Sequence, residues 1–432
     1  MTQSASTEST ATHTPASRRE FLKTAALGAI GLTAANTPAI FAQGGVLGAN
    51  SRIGVGFVGV GGRGSNHVGT VQGLINNGRP LKIVAVNDAY GPRRNAAAEH
   101  TGAKAYEHHT ELLADSAVDV VCIASPDRLH IPQAMDAIRA GKDVYCEKPM
   151  GHWTQFEAAK EFYLENQRLK RVVQIGNQGN SSSFWTKVKE IIQSGAIGKP
   201  QLIQAGFYRY GDWGERMPIP DPNAKPGPDL DWEGFLGDAP KVPFSVERFF
   251  SWRMFLDYAG GPCTDLFPHV FTPFVSMLGL TFPSLVATSG GIFKYDDYGR
   301  EVPDTFNMCL DYPQGLSVVL VCTLANDFLT EPVIRGDEGA IEFTNVVWER
   351  GCDSIRIIPQ DRNKQEQVIL GEQPDSTREH WLNFLDCVES REKPVSDVEF
   401  GYHVQTALCM GMEGFLARKM ATFDSEQEKI VL

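Results

Sequence analysis

Paired cysteines are missing from this chain. Its eight cysteines, at positions 122, 146, 263, 309, 322, 352, 387 and 409, form no C-x-x-C pair and no zinc-ligand spacing. Several sit inside apolar runs, as in Val121-Cys122-Ile123 and Val321-Cys322-Thr323, where a thiol behaves as a small hydrophobe. A disulfide framework and a structural zinc module are thereby excluded, no metal site is expected, and the pattern fits folding in a reducing compartment. Positive charge is also short. Lys and Arg total 40 against 52 Asp and Glu, a net charge of −12, and no basic run follows the leader, so no nucleic-acid surface is expected. Long apolar runs are absent too. The mild stretch from Thr24 to Ala42 is broken by Asn36 and Pro38, which makes a stable membrane span a poor fit unless the leader stays uncleaved as an anchor. No internal repeat and no low-complexity tract follow the Ser/Thr-rich leader.

What the chain does have is a glycine loop in a telling context. Gly59-Val60-Gly61-Gly62-Arg63-Gly64 follows the apolar run Ile53–Val58. Val68, Val71, Leu74 and Ile75 then fall on one helical face, and a second strand from Leu81 to Asn87 ends at Asp88. Strand, glycine loop, helix, strand and terminal acid form the dinucleotide-binding unit: one glycine makes the tight turn, one admits a pyrophosphate, one lets helix pack on strand. The phosphates would rest on the helix N-terminus. Asp88 would hold the adenine-ribose hydroxyls and favours NAD, because a carboxylate repels a second phosphate. Arg93 and Arg94 lie just beyond and could bind one, which leaves NADP open.

Alternation of strand and helix continues to about residue 175, the pattern of a doubly wound parallel sheet. Residues 201–258 are rich in Pro, Trp and Asp with few regular periods. From Leu285 to Phe343 strands dominate (285–288, 305–310, 316–324 and 340–343), and helices over about 376–389 and 403–419 end the chain. The expected organisation is α/β: an N-terminal Rossmann domain over 50–175, then a C-terminal α/β domain over 176–432 with a large, mainly antiparallel open sheet. Such a sheet needs a cover for one face, so a homodimer or homotetramer is expected. Ahead of both domains, Ser17-Arg18-Arg19-Glu20-Phe21-Leu22-Lys23 matches the twin-arginine export signal at every position. Residues 1–42 therefore read as a signal, the translocase as a partner and the periplasm as the destination. That route carries folded proteins with cofactor loaded, so a tightly bound, non-exchanging nicotinamide cofactor is expected.

Two constellations could carry chemistry. Glu147-Lys148-Pro149 closes a strand, at the end of the sheet where ligands bind; a lysine there can have its pKa lowered enough to shuttle a proton. Gly260-Gly261-Pro262-Cys263-Thr264-Asp265-Leu266-Phe267-Pro268-His269 sets Asp265 and His269 four residues apart, on one face of a helical turn, with the carboxylate orienting the imidazole as a general base. Ser125, Pro126 and His130 follow a strand end and are placed near the nicotinamide ribose, with His130 as simply the first residue of a helix the other reading. Arg209, Trp252 and Arg253 are candidate sugar contacts; packing within the Pro-rich connection explains them equally well. His108, His109, His152 and His380 read as structural or exposed.

The order of these motifs, with Gly195-Ala-Ile-Gly198, Leu230-Asp-Trp-Glu-Gly-Phe-Leu-Gly237 and Arg391-Glu-Lys-Pro-Val-Ser-Asp397, resembles the Gfo/Idh/MocA oxidoreductases in their exported bacterial form. The resemblance runs from about residue 51 to the C-terminus. It implies NAD or NADP, sugar, polyol or glycoside substrates, and Lys148, Asp265 and His269 as catalytic residues. Pro262 replaces the third glycine of the family's triple and Phe267 a glycine within its Asp-x-Gly-x-His, which bears on the shape of the sugar pocket. Three functions are consistent: a periplasmic NAD(P)-dependent sugar oxidoreductase, a glycosidase using NAD transiently, and a non-catalytic sugar sensor. His269 is the first choice of base, with Lys148 the other.

Overall fold

A computed structural model describes residues 52–211, 218–296 and 299–432. The expected signal at 1–42 lies outside them. Six parallel strands make the first sheet: β1 (Ile53–Val58), β2 (Leu81–Asn87), β3 (Lys104–Tyr106), β4 (Val120–Ile123), β5 (Asp143–Cys146) and β6 (Val173–Ile175), in the order β3-β2-β1-β4-β5-β6. The crossovers are α1 (Gly62–Asn76), α2 (Gly91–Thr101), α3 (His109–Ala114), α4 (Asp127–Arg139) and α5 (Phe156–Leu169). Every residue of β1, β4 and β5 is buried, as expected for a parallel sheet covered on both faces. Strand order reverses between β1 and β4, which opens a crevice at their carboxyl ends.

The second domain follows α6 (Ser183–Gln193). Its sheet is built from β7 (Pro200–Tyr210), β8 (Leu285–Gly291), β9 (Thr305–Tyr312), β10 (Leu316–Thr323), β11 (Ala325–Asn326), β12 (Val333–Gly336), β13 (Gly339–Thr344), β14 (Ser354–Pro359), β15 (Gln367–Leu370), β16 (Ala421–Asp424) and β17 (Lys429–Val431). The path is β15-β14-β13-β12-β7-β10-β9-β8-β16-β17, with β11 on β7, and only β7 and β10 pair in parallel. In β10, Leu316, Val318, Leu320 and Cys322 join a core with Phe271 and Phe274 of α10 (Phe267–Leu278) and Leu408 and Met410 of α12 (Val398–Ala417). The alternate residues Val319 and Val321 are only half-buried on the other face.

Three departures from expectation stand out. The stretch read as irregular from 201 contains β7, the strand between β12 and β10. Polar Gln201, Gln204 and Arg209 interrupt the apolar alternation. Strands β12 and β14 to β17 were not anticipated either; several are short or at the sheet's margins, where burial leaves little pattern. Finally, α11 (Ser376–Ser390) returns to the first sheet, where Trp381, Phe384 and Leu385 join the core of β1 and Trp381 stacks on Tyr145 at 4.7 Å. Among the described residues, the α-helices between β7 and α10 are short: α7 (Trp232–Leu236), α8 (Val246–Phe250) and α9 (Pro262–Asp265).

Candidate functional site

The glycine loop joins β1 to α1 at the crevice. Gly59 has φ +82°, and a Cβ there would lie 2.7 Å from the Ala124 carbonyl carbon. At Gly64 a Cβ would lie 2.0 Å from the Gly59 carbonyl oxygen. Side chains are excluded at both points, so the loop hugs the end of β4 and leaves the first amides of α1 facing the crevice. Gly62 meets no such restriction, with nothing within 4 Å. The crevice widens into a cavity of about 950 Å³, at the upper end of the usual range for ligand sites.

Gly59, Gly61, Gly62, Arg63, Asp88 and Arg93 line one end of this cavity, and Gly64 stands behind it. Asp88 follows β2, and its two oxygens accept the Val60 amide at 2.9 Å and the Tyr90 amide at 2.8 Å. Burial pushes its carboxyl pKa up, partly offset by Arg93 and those amides. Arg93 stacks over the Tyr90 and Phe250 rings, whereas Arg94 points to the Asp88 carbonyl and away from this wall. Ser125, Pro126 and His130 line the middle. His130 lies within α4, and its ring nitrogens face the carbonyls of Pro149 at 2.7 Å and Ser125 at 2.8 Å. Burial keeps the ring neutral with a single N–H, so one of these carbonyls accepts from it while the imidazole packs between the two strand-end loops.

Glu147 sits at the floor, after β5. Its Oε1 accepts from Arg63 Nε at 2.8 Å and faces His67 Nε2 at 2.7 Å, while Trp381 donates to His67 Nδ1 at 2.9 Å. That bond fixes His67 as the neutral tautomer with its proton on Nε2, consistent with burial and Arg63 holding its pKa down. Burial opposes the Glu147 charge, but Arg63, His67 and Lys148 outweigh it and hold the group well below the usual carboxylate range. Arg63 Nη2 and Gln178 Oε1 are buried on the cavity without a hydrogen-bond partner. A buried guanidinium N–H left unmatched beside open helix amides suits an anion. The residues present fit a dinucleotide.

At the other end, Lys148 is joined to Pro149 by a cis bond and donates to the Asp265 carbonyl at 2.6 Å and to Asp265 Oδ1 at 2.9 Å. Arg253 Nε reaches the same Oδ1 at 3.2 Å, and its guanidinium lies over Trp252. Burial disfavours the Asp265 charge, yet Lys148, Arg253 and Arg209 hold it far below the ordinary range. Lys148, Trp252, Arg253 and His269 line the cavity; Asp265 lies behind Lys148, and Arg209 is not on the wall.

One expectation is corrected here: Asp265 does not orient His269. The helix breaks at Leu266, between α9 and α10, and turns Asp265 toward Lys148. His269 Nδ1 instead lies 3.1 Å from Glu349 Oε1, on the turn after β13. Burial and Lys148 lower the His269 pKa to about 4, against the pull of Glu349 and Asp265. Glu349 carries no motif and could not be found from sequence. Asp127, missed as well, was within reach because it directly follows Ser125-Pro126. It is buried on the cavity wall, accepts from Thr264 Oγ1 at 3.3 Å, and has its pKa pushed up to about 7, chiefly by burial. His108 and His109 border the cavity on the turn after β3, where His108 is exposed and His109 pairs with Asp136 at 2.9 Å, in line with their reading as structural or exposed. Among the described residues no group of His, Cys, Asp and Glu could hold a metal. Seven cysteines are buried, Cys309 is exposed, and all are free.

Fold and cleft together define a two-domain dinucleotide-binding α/β protein. Residues 53–177 match the Gfo/Idh/MocA oxidoreductase family's NAD-binding Rossmann fold and residues 183–432 its C-terminal alpha/beta domain; the chain belongs to that family. Inositol 2-dehydrogenase of Rubrobacter xylanophilus is 34% identical over 165 residues, 38% of this chain and 46% of that one. The match thus spans less than half of that relative. An NAD-binding oxidoreductase from Klebsiella pneumoniae superposes with a TM-score of 0.66 at 21% identity, over 86% of this chain and 98% of that one. The WlbA dehydrogenase of Bordetella pertussis, in complex with NADH and UDP-GlcNAcA, gives 0.64 at 17% identity, over 86% and 99%. At these identities the superpositions speak for the fold alone.

Proposed function

We propose that this protein is an NAD-dependent oxidoreductase that transfers hydride between a sugar or polyol hydroxyl carbon and a tightly bound nicotinamide cofactor. The observation that carries this reading is that Lys148 and His269 line the same cavity as the glycine loop, with Asp265 holding Lys148 from behind. The cofactor, when bound, supplies the hydride acceptor. His269, neutral near pH 7, takes the hydroxyl proton, and Glu349 stabilises the imidazolium that results. Lys148, held by Asp265, hydrogen-bonds the substrate oxygen, and Arg253 and Trp252 offer a fork and an aromatic face to neighbouring hydroxyls. The polyol named for the inositol dehydrogenase relative supports this substrate class. Asp88 favours NAD over NADP, with Arg93 the group that would hold a 2′-phosphate.

A glycosidase with transient oxidation is the second reading, favoured by Asp127: a carboxyl titrating at about 7 beside Lys148 could protonate a leaving group. Reduced-nicotinamide fluorescence during a single turnover against sugars and glycosides separates the two. A lasting signal with an oxidised product supports the oxidoreductase; a transient signal with a released aglycone supports the glycosidase. Absence of any signal with NAD or NADP overturns both and leaves a sugar sensor.

Export by the twin-arginine translocase to the periplasm belongs to the same proposal and is carried by Arg18-Arg19. Arg18→Lys with Arg19→Lys should trap the protein in the cytoplasm, and periplasmic recovery of that variant would refute it. The half-buried Val319 and Val321 face is proposed as the homo-oligomer surface, to be checked by light scattering of the purified protein.

A further inference from the structure

In an open Rossmann crevice the adenosine end faces solvent. Here a segment of the second domain crosses it. Leu230 bridges antiparallel to Tyr90, the Gly91 amide donates to the Asp229 carbonyl at 2.8 Å, and the Asp231 amide donates to Ala89 at 2.9 Å. The contact is close: a Cβ on Gly91 would stand 3.2 Å from Asp229 Cα. A second latch lies at the start of α4, where Arg128 Nε meets Asp238 Oδ1 at 2.8 Å and Gly237 passes Leu129 so closely that a Cβ would lie 2.5 Å from Leu129 Cδ2. Between the latches, Tyr90 of the first domain is buried edge-on against Phe250, with ring centroids 5.3 Å apart. Phe249 and Phe250 line the cavity together with Asp88 and Arg93.

We propose that residues 218–258 are a cofactor clamp, in which Phe250 forms a second wall of the adenosine subsite and the two latches set the rate of nucleotide release. The proposal rests on reading the cleft as a nicotinamide dinucleotide site. Phe250 carries the Arg93 guanidinium over its ring at 5.3 Å, and this flat cation–aromatic stack beside Asp88 suits a purine ring. Release then requires breaking an inter-domain bridge and opening a packed aromatic cluster. Retention follows from the fold of this chain and needs no covalent attachment.

The test is the release of NADH from the full-length holoprotein, followed by fluorescence after a chase with excess NAD. Gly91→Val wedges the first latch and Phe250→Ala removes the wall; each should speed release at least tenfold. ADP-ribose should slow hydrogen exchange in the wild-type segment 229–237, a readout that depends on no variant, whereas nicotinamide mononucleotide should leave it unchanged. If folded Gly91→Val and Phe250→Ala release NADH within threefold of wild type, or if ADP-ribose fails to protect 229–237, the clamp is overturned and the dinucleotide site survives. If the wild type binds none of NAD, NADP and ADP-ribose, the underlying reading falls with it.

Discussion

Replacing Glu349 by Gln keeps its size and removes one charge 3.1 Å from His269. The imidazole is neutral at working pH, because burial and Lys148 bring its pKa to about 4. The charge pair therefore forms only as His269 receives the substrate proton, so its loss falls on the transition state more than on binding. Two unit charges at that distance attract by about 5 kcal/mol at an effective dielectric of about 20. Side-chain exposures of 14% for His269 and 30% for Glu349 admit water. Screening then leaves roughly 2–3 kcal/mol, or about a 100-fold loss in the hydride-transfer rate, with KM little changed. Glu349 also supports protonation of His269, so its removal should move the acid limb of the pH–rate profile further below pH 4. Single-turnover fluorescence followed from about two pH units below the wild-type acid limb up to pH 9 measures both effects. A loss under threefold, together with a larger acid-limb shift in Asp265→Asn, would return the orienting role to Asp265 and refute the assignment.

Other outcomes follow from the same geometry. Asp265→Asn leaves Lys148 and Arg253 without their shared carboxylate, and denaturant unfolding should show a stability loss of about 3–5 kcal/mol, whereas an unchanged midpoint would deny the buried pair. Asp127 binds its proton near pH 7 when folded but near its ordinary 3.8 when unfolded. The folded chain thus holds more protons across that window, and Asp127 makes stability fall as pH rises through it. Asp127→Asn should remove this penalty, gaining up to about 4 kcal/mol over wild type above pH 8 and nothing below pH 4; a pH-independent difference would contradict the raised pKa. Asp88→Ser should weaken NAD about tenfold and shift preference toward NADP, since Arg93 remains while the amides of Val60 and Tyr90 lose their acceptor. An unchanged NAD-to-NADP affinity ratio in fluorescence titration would argue against Asp88 as discriminator.

Much of the first domain was readable because its signals are local. A buried Val/Ile run, a glycine loop and an amphipathic helix each occupy at most 15 residues, and their order alone sets the parallel sheet. Gly64 is required by the Gly59 carbonyl within that same unit, and Gly59 by its own positive φ as well as by Ala124 beyond it. Strand β7 was hidden because Gln201, Gln204 and Arg209 interrupt its apolar alternation, β14 because it is only partly buried, and β15 because every one of its residues is exposed. The four-residue spacing of Asp265 and His269 suggested one helical face, but a break at Leu266 cannot be seen in a spacing.

The sequence by itself determined the cofactor loop, the strand-end positions of Asp88, Ser125 and Lys148, and the presence of Asp265 and His269, because residue type and short spacing define those features. Tertiary structure alone decided who pairs with whom. Lys148 meets Asp265 across 117 residues, His269 meets Glu349 across 80, Trp381 reaches back to His67, and Tyr90 is capped by Leu230 and Phe250. Such pairings depend on how two sheets and their connections pack. No local pattern encodes a partner that only packing brings within hydrogen-bond distance.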